Sequence, residues 1–193
     1  MGKQETDKVH NLKNLRDVTS HMNDIDYFLF FGTLLGYCRD GDIIQGDDDV
    51  DLLVDRKYYN ESIDILKRLG FNVNTNVWNK NYDGMVQGTR MVDGHLTHFD
   101  FYFYEDNSDD YIIEKWNFFA NPESSNSHLH IPKEIVYPIK TVDMKDFKCK
   151  VPSNVEECCK FLYGDRYMTP MIMKEQYMVE KLVNNIPYVV YYD

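Results

Sequence analysis

No run of this 193-residue chain is long and apolar enough to cross a bilayer, and its first residues form no hydrophobic leader. It is therefore expected to be a soluble, cytoplasmic protein without membrane insertion. Positive charge is scarce: 21 Lys and Arg stand against 32 Asp and Glu, with a formal charge of −11 and a pI near 4.9. That balance argues against non-specific binding to nucleic acid or anionic membranes. Cysteine is sparse and unpatterned, since Cys38, Cys149, Cys158 and Cys159 lack Cys-x-x-Cys spacing and the last two are adjacent. Neither a disulfide framework nor a zinc knuckle follows, and reduced thiols are expected. Alanine occurs once, at Ala120, and repeats and low-complexity tracts are absent. The sequon Asn60-Glu61-Ser62, with no secretory signal before it, reads as chance. The length suits one domain spanning residues 1–193.

Aspartate, by contrast, is concentrated. Asp47, Asp48, Asp49 and Asp51 fall within five residues and run directly into Leu52-Leu53-Val54, the mark of a short, largely buried strand. Side chains alternate along a strand, so Asp49 and Asp51 share one face with Cα atoms roughly 6.6 Å apart. Two such charges repel by roughly 3 kcal/mol at an effective dielectric of about 20. Asp is also a poor strand former. A hard divalent cation, Mg²⁺ or Mn²⁺, turns the repulsion into attraction. Asp47 shares the inward parity, whereas Asp48 is expected to point outward into solvent. An EF-hand is excluded, because Leu52 stands where that loop needs Gly and Tyr58 where it needs Glu.

Just upstream, Phe28-Leu29-Phe30-Phe31 has the size of a buried strand and ends at Gly32-Thr33, followed by Leu34-Leu35-Gly36-Tyr37 as the start of a short helix. Gly-Thr at a strand-to-helix turn lets backbone N–H groups approach phosphate closely, with the Thr hydroxyl as a further donor. Carboxylates and turn together are the layout that nucleotidyl or phosphoryl transfer needs, with metal and N–H donors on the same phosphates.

The block from Phe31 to Leu52, read with Tyr137-Pro138, Val151-Pro152 and Leu162-Tyr163-Gly164-Asp165, resembles the LicD and fukutin-related family over roughly residues 8–170. Gln45-Gly46 stands where that family usually has Trp, which bears on the pocket wall rather than on the metal site. The resemblance implies an α+β fold, a nucleotidyltransferase-type mixed β-sheet flanked by helices, these mainly on one side. It also implies metal-dependent transfer of a phospho-alcohol or phospho-sugar from a CDP- or GDP-activated donor to a glycan hydroxyl. Choline phosphate, ribitol phosphate and mannose phosphate are the family precedents. The alternative is transfer of NMP from an NTP with release of pyrophosphate.

A third carboxylate is expected from a later strand, as metal ligand or general base. Asp100 in His98-Phe99-Asp100-Phe101-Tyr102-Phe103 is the candidate, since a charge inside so aromatic a strand needs a reason, and the resemblance places a catalytic Asp there. His98 shares its parity but reads as an ordinary half-buried imidazole. The expected site is thus Asp49, Asp51 and Asp100 on metal, with Gly32, Thr33 and Arg39 on phosphate. Arg39 matches a family Arg able to hold phosphate bidentately, although a salt bridge with Asp40, Asp42 or the cluster is equally open.

For the rest, Val9, Leu12, Leu15, Val18 and Met22 form one apolar helix face, and a second helix spans Tyr58 to Leu69 with Gly70 as its stop. Strands are expected at Phe71–Val77, Met85–Val92, Thr97–Tyr104 and Tyr111–Trp116, with Asp93-Gly94 as a hairpin turn. Asn117–His128 reads as a surface loop near the site. Thr141–Met144 and Phe147–Val151 form a hairpin, and Ser153 with Glu156 makes a capping box for a helix from Asn154 to Tyr163. Pro170 opens a last helix through about Val183, and Tyr163-Gly164-Asp165 is a helix-end turn.

Overall fold

The computed structural model describes residues 8–77, 84–116 and 129–170, with the backbone of 178–183 and 186–191. Helix α1 (Lys8–Thr19) is followed by strand β1 (Tyr27–Leu29), helix α2 (Phe31–Asp40), strand β2 (Asp51–Asp55) and, beyond a 3-10 turn, helix α3 (Tyr59–Arg68). Strands β3 (Asn72–Asn74), β4 (Met85–Val92), β5 (His95–Glu105), β6 (Tyr111–Glu114) and β7 (Leu129–Pro132) come next. A short helix α4 (Lys133–Val136), hairpin β8 (Lys140–Met144) and β9 (Phe147–Val151), helix α5 (Val155–Tyr163) and hairpin β10 (Met178–Val183) and β11 (Ile186–Tyr191) complete the order.

Seven strands make one mixed sheet in the order β1-β2-β5-β4-β3, with β6 on β5 and β7 on β6. Strands β2 and β5 run parallel, which sets Asp51 directly beside Asp100. On its other edge β5 pairs antiparallel with β4, which sets Gln87 opposite Asp100. The hairpin between them turns at Asp93 and Gly94, with φ of 49° and 86°, the left-handed pair that suits a tight β-turn.

The aromatic strand β5 presents two different faces. Phe99, Phe101 and Phe103 point toward α3, where Tyr59 lies 4.9 Å from the Phe103 ring. Gly88 makes room there, because a Cβ on it would come within 3.0 Å of Phe71 and 3.1 Å of Leu66. The opposite face carries Asp100 and Tyr102, and Phe31 of α2 stacks edge-on against Tyr102 at 4.9 Å. Helices therefore cover both faces rather than mainly one.

Several local expectations shift. The first strand ends at Leu29, and Phe31, with φ of 36°, turns the chain straight into α2, so Gly32 and Thr33 lie inside the first helical turn. Helix α1 is rotated: Val9 is 57% exposed, while Asn11 and Asn14 are fully buried beside Leu15 and Val18. The strand expected from Phe71 to Val77 forms only over Asn72–Asn74. The cap of α5 is Asn154, which accepts from the Glu157 N–H at 3.2 Å, because Ser153 is engaged with the Ile135 carbonyl at 3.1 Å. The last helix is corrected where it is described: 178–183 and 186–191 pair as antiparallel strands, and 171–177 lie outside the described residues. Val, Tyr and Ile dominate the second of those segments, and β-branched and aromatic residues favour a pleated strand. The loop expected at 117–128 lies outside the described residues. All four cysteines are free thiols. Among the described residues, no helix is long and apolar enough to cross a membrane.

Candidate active site

Three elements converge on one point of the sheet. The parallel register brings Asp51 and Asp100 side by side, and the Asp100 N–H donates to the Val50 carbonyl at 2.8 Å. Asp49 arrives from the irregular segment that leads into β2. Carboxylate oxygens of Asp49, Asp51 and Asp100 all lie within 4.8 Å of one another, so the expected triad is assembled. Asp51 and Asp100 are buried, with 5% and 3% exposure, and Asp49 is half-buried.

The start of α2 fixes this arrangement. The Asp51 backbone N–H donates to the Thr33 hydroxyl at 2.9 Å, and the Gly32 N–H donates to the Asp51 carboxylate. A Cβ on Gly32 would lie 2.7 Å from Asp47 Oδ2, so only glycine leaves room for that carboxylate. The Thr33 side chain, expected to reach phosphate, is fully buried and holds β2 in place. Arg39 lies in the last turn of α2, roughly 10 Å along the axis from Gly32 at 1.5 Å per residue. Of the partners expected for it, Asp42 is taken by Lys8 at 2.8 Å and Lys145 at 2.9 Å.

The electrostatics are severe. Burial pushes the Asp51 carboxyl well above the ordinary carboxylate range, and the charges of Asp49, Asp100 and Asp47 push it further, against the Gly32 N–H. The buried Tyr102 hydroxyl is raised by burial and then by the same aspartates. Asp48 does not point away as alternation requires, since its carboxylate lies within 4.8 Å of those of Asp47 and Asp49. The reason is local: 47–50 is not yet a strand, and a turn with Gly46 at φ 85° precedes it. His98 is half-buried two residues before Asp100.

Two contacts were not anticipated. Gln87 Nε2 donates to Asp100 Oδ2 at 3.3 Å, and Asn11 Nδ2 donates to the Asp47 and Asp49 carbonyls at 2.9 and 3.2 Å. Counting back from the Asp93-Gly94 turn would have found Gln87. Asn11 had a weaker signal, a polar residue one turn before the apolar pair Leu15 and Val18.

The donor set is all oxygen, partly buried and self-repelling, and it fits a hard divalent cation. A mixed sheet that sets paired carboxylates beside the first turn of a helix defines a nucleotidyltransferase-type α+β protein. The sequence pattern of the LicD/FKTN/FKRP nucleotidyltransferase domain matches residues 24–154, and the chain belongs to that family. No curated protein matches it significantly. Among solved structures, a lincomycin-bound lincosamide antibiotic adenylyltransferase is similar at 18% identity and a TM-score of 0.51. That alignment covers 74% of this chain and 78% of the other, and it supports the fold. A putative nucleotidyltransferase from Thermotoga maritima aligns over 80% of this chain and 83% of its own at 14% identity and a TM-score of 0.46.

Proposed function

We propose that the protein transfers a phospho-alcohol or phospho-sugar from a CDP- or GDP-activated donor to a glycan hydroxyl. The observation that carries this reading is the meeting of Asp49, Asp51 and Asp100 within 4.8 Å at the start of α2, in a chain of the LicD family. Mg²⁺ or Mn²⁺ bound by these three would neutralise the donor diphosphate. The first turn of α2, at Gly32 and Thr33, would offer the phosphates the positive end of its dipole, while the Gly32 N–H stays with the Asp51 carboxylate. Asp100 accepts the acceptor hydroxyl's proton as the new O–P bond forms and the bond to the departing nucleoside monophosphate breaks. Gln87 is a neutral donor to Asp100, so it orients the carboxylate without adding a further positive charge. Arg39 has no part in this reading.

Nucleotidyl transfer is the second reading, favoured by the likeness in fold to an adenylyltransferase. Labelled donors separate the two. Release of CMP or GMP from an NDP-linked donor with Mn²⁺ is expected. Pyrophosphate from an NTP would establish the alternative, and neither product from any donor would contradict both.

A further inference from the structure

Helix α1 precedes the matched family segment, which begins at residue 24, yet it reaches into the acidic site. Asn11 is fully buried, and its one amide group donates to two carbonyls two residues apart, those of Asp47 and Asp49. Both amide hydrogens are thereby used. Its Oδ1 is buried with no hydrogen-bond partner, an unfavourable state that a leucine at the same position would avoid. Packing alone therefore does not account for an asparagine here.

A single donor that bridges carbonyls two residues apart fixes them relative to each other and so restrains the backbone of residues 47–49. This matters because 47–50 has no regular strand structure of its own, and the Asp47, Asp48 and Asp49 carboxylates crowd within 4.8 Å. Their mutual repulsion would otherwise bend the segment and swing Asp49 away from Asp51 and Asp100.

We propose that Asn11 is a positioning residue for the metal-binding carboxylates, which makes α1 part of the active unit. The proposal rests on the reading of Asp49, Asp51 and Asp100 as a cation site. Asn14 provides the matched control. It is also fully buried on α1, but its hydrogen bond is accepted from Arg90 Nε at 2.8 Å rather than made to the acidic segment.

The test is Mn²⁺ affinity of the intact chain, measured by calorimetry with folding checked by circular dichroism, for wild type, Asn11→Ala and Asn14→Ala. Residues that orient metal ligands change affinity about 10–100-fold when removed. Asn11→Ala is expected to weaken Mn²⁺ binding by about tenfold or more, while Asn14→Ala binds as wild type does. Wild-type affinity in Asn11→Ala, or an equal loss in both variants, would overturn the proposal. Failure of the wild type itself to bind Mn²⁺ would overturn the cation-site reading and the proposal with it. Should Asn11→Ala not fold, Mg²⁺ titration of ¹⁵N-labelled wild type decides. The side-chain amide of Asn11 is expected to shift and that of Asn14 to stay, and an unmoved Asn11 signal would overturn the role.

Discussion

At Asp51, burial, three neighbouring carboxylates and one opposing N–H act on a single group. Its folded-state pKa is raised above the unfolded value of about 3.9, so folding favours the protonated form. The stability this contributes is complete below the unfolded pKa and is lost as pH rises through the folded one. The metal-free protein is therefore expected to melt at lower temperature as pH rises above the ordinary carboxylate range. Asp51→Asn should flatten that slope and raise the melting temperature near neutral pH, and a slope unchanged from wild type would place the titrating group elsewhere. Asp100 allows a sharper test. As general base, Asp100→Asn should lower turnover roughly 10²–10⁴-fold while donor and metal bind almost normally. Joint loss of metal and donor binding, partly rescued by excess Mn²⁺, would make it chiefly a ligand. Asp51 is legible from the strand it opens, and Asp49 joins it although residue 49 lies just ahead of that strand. Asp48 was misjudged because strand alternation was carried into residues that are not yet strand. Arg39, expected from its match to a family Arg, lies at the far end of the same helix as Gly32 and Thr33.

Among the elements, α2 is held to the loop after it by an unusually close approach. A Cβ on Gly36 would meet the Asp42 carbonyl at 2.6 Å and the Ile44 N–H at 2.9 Å, both backbone atoms of the stretch leading to Asp47. Gly36→Ala must displace that backbone, and overpacking of this kind destabilises by about 1–3 kcal/mol. Urea denaturation should show that loss, and Mn²⁺ affinity should fall with it. Wild-type stability would mean the loop yields freely. At α5, Asn154→Ala is expected to cost about 1 kcal/mol as the loss of an N-cap, whereas Ser153→Ala acts through its hydroxyl bonds to the Glu134 and Ile135 carbonyls. Hairpins with a glycine turn were readable to the register, so Gln87 opposite Asp100 follows from counting outward from Asp93-Gly94. Ends fixed by tertiary competition were not readable. Ser153 has the chemistry of a cap, but α4 claims it first. Asn11 and Asn14 point inward because the acidic segment and Arg90 await them, and helical periodicity carries no trace of either partner.

For the whole molecule, the sheet order was not fixed by any motif, yet it is what makes the site. Only the parallel placement of β2 against β5, with β4 beyond, brings residues 51, 87 and 100 into one row. Folding thus gathers several of the −11 net charges at one point, and a bound cation would stabilise the folded chain by mass action. The account rests on a cation linking these aspartates to a nucleotide diphosphate, and thermal unfolding with CDP- and GDP-linked donors, in Mn²⁺ and in EDTA, tests it most directly. At a hundredfold excess over the dissociation constant, a donor should add about 2.7 kcal/mol of stability in Mn²⁺. The effect should be nearly absent in EDTA and in Asp49→Asn or Asp51→Asn. Equal shifts in Mn²⁺ and EDTA, or full shifts in both variants, would contradict the account.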